Sequence, residues 1–281
     1  MEVLINELSL NGQYDSDEHF IKSGIVHFVS VLKELKHERD IVYKKSDLYS
    51  YMITSTQTLH SLLYSDTSRM YDVIRKFKSL LHRNLFDEPY WENDQKHSTE
   101  TSYSFINKNV CGFSLSEACE RDRVIISFVS NNFSSTKINI CKSDSENIIL
   151  DNLFDKGHCN EVNRERNYIC IEEYCVNRFK GDKLDFSMID KTNGFLLFKK
   201  EDEELFIDGF RKFSESTWQQ IFVDDAFDFK PYPNNDKFFK SVPNPNKIYK
   251  FRISRKYRCF GFVDKGIFFV LRFDLEHKLS N

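Results

Sequence analysis

Apolar and polar positions follow two rhythms along this chain, a period near 3.6 and a period of 2, and their changes mark out its elements. Val3, Ile5, Leu8 and Leu10 predict a strand over Val3–Leu10, closed by the Asn11-Gly12 turn. Asp15 or Ser16 caps the next helix, which carries Asp17 and Glu18 in its first turn. It runs to about Lys36 through Phe20, Ile21, Val26, Val29, Leu32 and Leu35. A short strand is expected over Asp40–Ser46, with helices over Thr58–Leu63 and Ser68–Leu81. Phe86–Tyr103 is polar and irregular and reads as a loop. Ser114–Arg121 reads as a helix in which Ser114 and Glu117 have capping-box spacing. Val124–Val129 is a buried strand, Thr136–Cys141 and Asn147–Leu150 form a hairpin, polar Lys156–Asn167 connects, and Tyr168–Phe179 is helical.

The period shifts again after the turn Lys191–Gly194, where we place a boundary between a region 1–190 and a domain 191–281. A short strand is expected over Phe195–Phe198. The helix Asp202–Phe222 follows, with Leu205, Phe206, Phe210, Phe213, Trp218 and Ile221 on its buried side and a break near Ser214. Along Lys247–Ser254, Tyr249, Phe251 and Ile253 share one face while Lys250, Arg252 and Ser254 share the other. Tyr257–Val263 and Ile267–Phe273 pair as a hairpin around Asp264–Gly266. The class predicted is α+β: an N-terminal mixed α/β region, then a small antiparallel sheet with a helix packed on it.

Composition changes this picture in one respect. The 281 residues carry a net charge of −3, which by itself names no partner. Locally the balance is uneven. Residues 199–236 hold five Lys/Arg and ten Asp/Glu, whereas 237–281 hold eleven against three. A basic field of that kind attracts polyanions, although a solvated basic face has the same composition. The seven cysteines are odd in number and form no C-x-x-C pair, so they are expected as reduced thiols. No apolar run reaches the ~20 residues of a membrane helix, and a cytoplasmic setting is expected.

The chemistry expected of the basic segment follows from its alternation. Lys250 and Arg252 stand in a row on one sheet face, Arg258 lies on the next strand, and Arg255 and Lys256 sit at the bend between them. Such cations bind phosphates without sequence preference. His277 lies just past the last strand. Cleavage at a 2′-hydroxyl needs a base, an acid and cations for the phosphorane charge, roles that Lys, Arg, His and Tyr fill without metal or cofactor. The run "YKFRIS…KYRCFGF…FFVLRFD..H", preceded by GFLLF and a long helix, resembles the RelE/HigB group of bacterial toxin domains over about the last third of the chain. That resemblance implies an mRNA-cleaving domain. By position, Lys250, Arg252, Arg255 and Lys256 would hold RNA, and Arg258 would stabilise the transition state. His277 would be acid or base, with Tyr257 a further candidate. RNA at the ribosome, and an antitoxin or defence-complex protein, are the partners implied. A non-catalytic nucleic-acid- or protein-binding subunit of a bacterial defence complex stands as the alternative, and because the same fold serves gyrase poisons of the ParE kind, a topoisomerase-directed toxin is a third reading.

The N-terminal region offers carboxylates rather than a motif. Glu7, the Asp87-Glu88 pair, and Glu117 with Glu120 and Asp122 are the residue types of a metal-dependent nuclease. Helix capping and surface ion pairs account for them better, and no metal is expected. His27 and His60 read as packed or solvated, and Cys170 and Cys175 are spaced too loosely for a zinc pair.

Overall fold

The structure, a computed structural model, describes residues 1–35, 39–64, 72, 75, 89–143, 145–232, 239, 247–276 and 279. The chain divides into two compact units, Met1–Val162 and Asn163–Asn281. Both mix helices with sheet. Among the described residues no helix is long and apolar enough to cross a membrane, and all seven cysteines are free thiols.

The first unit is built on a mixed seven-stranded sheet. Strand β1 (Glu2–Ile5) lies between β2 (Ile41–Tyr43) and β5 (Val124–Ile126), parallel to both. Val3, Leu4 and Ile5 are wholly buried, the continuous apolar run expected of a strand covered on both faces. Strands β3 (Tyr103–Phe105) and β4 (Lys108–Asn109) form one edge. The hairpin β6 (Lys137–Lys142) and β7 (Glu146–Leu153) joins them to β5.

The strand expected to reach Leu10 stops at Ile5. Asn6 donates to Ser127 Oγ at 2.9 Å, Ser9 Oγ donates to the Asn6 carbonyl, and a 3-10 turn occupies Glu7–Ser9. Short polar side chains here give the backbone an alternative to the ladder. Ser16 caps helix α1 (Asp17–His19), which passes through a π-helical stretch, Phe20–Ile25, into α2 (Val26–Glu34). A Cβ on Gly24 would stand 2.8 Å from the Phe20 ring and 2.9 Å from the Tyr14 hydroxyl, so glycine permits this close approach. Helix α3 is Leu59–Tyr64. The helix predicted over Ser68–Leu81 lies outside the described residues, apart from positions 72 and 75.

Helix α4 (Ser114–Cys119) forms as expected, but without the predicted capping box. Phe113 occupies the N-cap position, Ser114 Oγ accepts from Trp91 Nε1 at 3.0 Å, and Glu117 turns to other partners. Residues 156–165, expected as a polar connection, form helix α5 (Lys156–Glu165), which buries Cys159 and Val162.

The second unit holds a five-stranded sheet in the order β8-β12-β11-β10-β9, antiparallel except where β8 (Leu184–Asp185) runs parallel to β12. The other strands are β9 (Lys230–Pro231), β10 (Ile248–Arg252), β11 (Arg258–Asp264) and β12 (Ile267–Asp274). Helix α6 (Ile171–Phe179) precedes β8, and α7 (Lys200–Glu215) and α8 (Trp218–Val223) precede β9. The predicted break falls at Ser216, where Thr217 caps α8 through a capping box with Gln220.

Phe206, Ile207, Phe210 and Phe213 recur at helical spacing and pack with Phe251, Phe268 and Phe273 of the sheet. Leu205, expected on that side, is 40% exposed instead. Phe195–Phe198 is not a strand. A 3-10 turn over Phe195–Leu197 seats the Phe195 and Phe198 rings against Phe273, and β8 holds the sheet edge. The opposite sheet face carries a second apolar cluster, Phe239, Ile248, Phe260, Leu271 and Leu279. A bulge at Phe260/Gly261 accommodates Leu271. A Cβ on Gly261 would stand 2.7 Å from the Phe268 ring.

Candidate nucleic-acid interface

Period-2 alternation divides β10 between the two faces. Phe251 enters the helix-side core, with Tyr249 against it, whereas Ile248 joins the second cluster and Lys250 and Arg252 share its face. The register then aligns cations across neighbouring strands. Lys230, Lys250, Phe260 and Arg272 form one row, and Arg252, Arg258 and Asp274 the next. Residues directly opposite in a sheet lie ~5 Å apart at Cβ, so five cations crowd one surface.

Among the described residues Asp228 and Asp274 supply countercharge there. Asp228 bonds Lys230 at 2.8 Å and approaches Arg252 at 3.4 Å. Burial opposes ionisation of Asp228. Its hydrogen bond to Lys230 and the charges of Lys230, Arg252 and Lys250 nevertheless hold its carboxyl below the ordinary range. Burial, with Lys230 alongside, pulls the Lys250 ammonium down from its ordinary value. Burial and the Arg252 charge do the same to Arg258, partly offset by Asp228 and Asp274. Arg252 Nε is buried with no hydrogen-bond partner. Lys250 and Arg258 are thus both destabilised as cations, which favours an added anion.

The residues expected as catalytic are placed differently from one another. Arg258 is only 9% exposed, and its Nη1 donates to the carbonyls of Ser254 at 2.7 Å, Tyr257 at 3.0 Å and Arg255 at 3.4 Å. It clasps the bend that presents Arg255 and Lys256, both exposed. Ser254 Oγ closes the same bend by accepting from the backbone N–H groups of Lys256 and Tyr257. Tyr257 joins the helix-side core. Its hydroxyl donates to Asp202 at 2.7 Å, and its ring stacks on Phe206. The hydrogen bond to Asp202, then burial, pushes the phenol up to about 12. The Lys256 ammonium lies 5.3 Å from the centre of that ring. His277 lies outside the described residues. The structure therefore brings Lys250, Arg252 and Arg258 onto one face and separates Tyr257 from them.

Sequence reasoning missed Lys230, Asp228 and Arg272. Lys230 and Asp228 sit in the acidic stretch, and only the pairing of β9 with β10 brings them to the basic face. Arg272 was legible in principle from its place in FVLRFD, but the bulge shifts its register.

The N-terminal carboxylates do not converge. Glu117 is fully buried and accepts from Arg121 Nε at 2.6 Å, His97 Nδ1 at 2.7 Å and the Lys96 and His97 backbone N–H groups. Gly112 N donates to His97 Nε2, so Nδ1 carries the ring proton. Glu120 bonds Tyr103 and Lys142, and Asp122 accepts from the Glu2 backbone. Glu7 is fully buried and accepts from the Ser114 N–H at 2.9 Å, and burial raises its carboxyl to about 7. His27 is exposed, and the His60 ring sits 4.6 Å from Tyr64. Asp87 and Glu88 lie outside the described residues. Among the described residues no three His, Cys, Asp or Glu side chains are grouped to hold a metal. Comparison with protein families, curated proteins and solved structures finds no match for this chain.

Proposed function

We propose that the basic face of the C-terminal sheet binds the phosphate backbone of RNA. One observation carries the reading: Lys230, Lys250, Arg252 and Arg258 share a surface on which Asp228 bonds Lys230 and approaches Arg252, Asp274 lies opposite Arg258, and Arg252 Nε stays buried without a hydrogen-bond partner. A phosphate placed there would neutralise cations that now repel each other, and base identity would matter little. A helix-packed antiparallel sheet with one basic face accords with a RelE-like toxin domain, the finer reading of this architecture. The placement of Tyr257 and Arg258 favours binding over cleavage. Tyr257 is committed to Asp202, and Arg258 to three carbonyls, so a metal-independent ribonuclease would depend on His277 for proton transfer.

The test is fluorescence anisotropy of a labelled single-stranded RNA against the full chain over a salt series. Lys250→Ala with Arg252→Ala should weaken binding at low salt and flatten the slope of log K against log salt by about 2, near one per lost contact. Unchanged affinity and slope would remove the RNA reading and leave a protein partner for this face. Running the same mixtures on a gel in EDTA decides the chemistry. Products with 2′,3′-cyclic phosphate ends that vanish in His277→Ala would establish the ribonuclease.

A further inference from the structure

The N-terminal unit carries a cavity that the basic strands do not involve. Strands β1 and β5 are parallel neighbours and end at the same edge of their sheet. The chain leaving β1 through Leu8 and Asn11, the chain leaving β5 through Asn132 and Phe133, and the β3–β4 hairpin together enclose about 200 Å³. Crevices beyond the carboxyl ends of parallel strands are where α/β sheets receive ligands. The volume falls below the ~300–1,000 Å³ of sites for drug-sized molecules and suits a single planar ring system.

Its walls are aromatic and its rim is polar. Phe105 stacks on buried Phe133 at 5.1 Å and 24°, which fixes its ring. Phe113 is held with the Lys45 ammonium 5.1 Å from its ring centre. Asn11, Asn132 and Lys108 line the same cavity and are exposed. Among the described residues none of these three side chains makes a hydrogen bond or ion pair. A carboxamide offers a donor and an acceptor side by side, which matches the edge of a base. Aromatic walls accept its face, and an unpaired lysine at the rim suits a phosphate.

We propose that this cavity binds a nucleobase, with Phe105 and Phe113 against its ring, Asn11 or Asn132 on its edge and Lys108 on an attached phosphate. The base belongs either to a free nucleotide or to a nucleotide splayed from a single strand.

The full chain carrying Lys250→Ala and Arg252→Ala, which removes phosphate capture by the basic face, is titrated with AMP, GMP, CMP, UMP and ribose 5-phosphate and followed by saturation-transfer NMR. At least one nucleotide should bind saturably, with saturation strongest at its base protons, and ribose 5-phosphate should not. Asn132→Ala with Lys108→Ala, both at exposed positions, should raise Kd at least tenfold. Phe105→Leu should do so with the fold retained by circular dichroism. A trinucleotide that binds more tightly than the mononucleotide assigns the base to a strand; equal or weaker binding assigns a free nucleotide. The proposal is overturned if no nucleotide saturates at millimolar concentration, if ribose 5-phosphate binds as well, or if the cavity variants bind like the parent.

Discussion

Replacing Glu7 with glutamine should abolish most of the pH dependence of the N-terminal unit's stability between pH 5 and 7. Glu7 is fully buried; one carboxyl oxygen accepts the Ser114 N–H at 2.9 Å, and the other has no partner. Ser114, whose hydroxyl accepts from Trp91, is its principal polar neighbour. The cation it senses, Lys45, is bonded to Asp47 at 3.1 Å, and the Tyr51 phenol also feels its charge. Burial therefore dominates and lifts the carboxyl from 4.5 to about 7.

The folded chain holds this proton more tightly than the unfolded chain. Below pH 4.5 both states are protonated and the site is neutral in its effect. As pH rises towards 7 the unfolded state ionises first, so stability falls. Above 7 both are ionised and the loss is complete, at about 3 kcal/mol from ~1.36 kcal/mol per pKa unit. Glu7→Gln keeps the shape and the acceptor for Ser114 but cannot ionise. Urea titrations from pH 4 to 8, read by circular dichroism and by Trp fluorescence, should show the variant gaining on the parent as pH rises, then a constant difference. Parallel stability curves for the two proteins across that range would refute the reasoning.

Asp228→Asn should strengthen RNA binding severalfold and steepen its salt dependence, because the carboxylate bridging Lys230 and Arg252 is removed; weaker binding in the anisotropy assay would mean that Asp228 organises the site rather than competing with phosphate. Tyr257→Phe leaves buried Asp202 short of one hydrogen bond and should cost about 1–3 kcal/mol in urea unfolding. RNA affinity at low temperature should stay unchanged in that variant; lost cleavage with stability intact would return Tyr257 to the active site.

The C-terminal sheet was legible because its strands are amphipathic at period 2, so Tyr249 and Phe251 could be told from Lys250 and Arg252 by position alone. Local pattern failed where a side chain found a distant partner. Glu117 has capping-box spacing, yet Arg121, His97 and the backbone of Lys96 hold it more completely than the helix start could. Asn6 and Ser9 ended a strand that hydrophobicity alone would have extended. Tyr257 looked available beside a basic bend, but its hydroxyl answers Asp202, 55 positions earlier. The same non-local pairing hid Lys230, since nothing in an acidic stretch marks one lysine as a neighbour of Lys250.

The clasp of Arg258 on three carbonyls has a kinetic consequence. The bend that carries Arg255 and Lys256 is tied from within the sheet, so its backbone has little freedom left to lose when a ligand arrives. Only the two long side chains must be ordered, at ~0.5–1.5 kcal/mol each. Encounter with a polyanion is then governed by long-range attraction, and the association rate should fall steeply with ionic strength. Loosening the bend without changing its charge, as Ser254→Gly would by removing the hydroxyl that accepts from Lys256 and Tyr257, should leave that rate largely intact and shorten the lifetime of the complex. Through the bend it ties, a largely buried arginine would thus set how long a ligand stays.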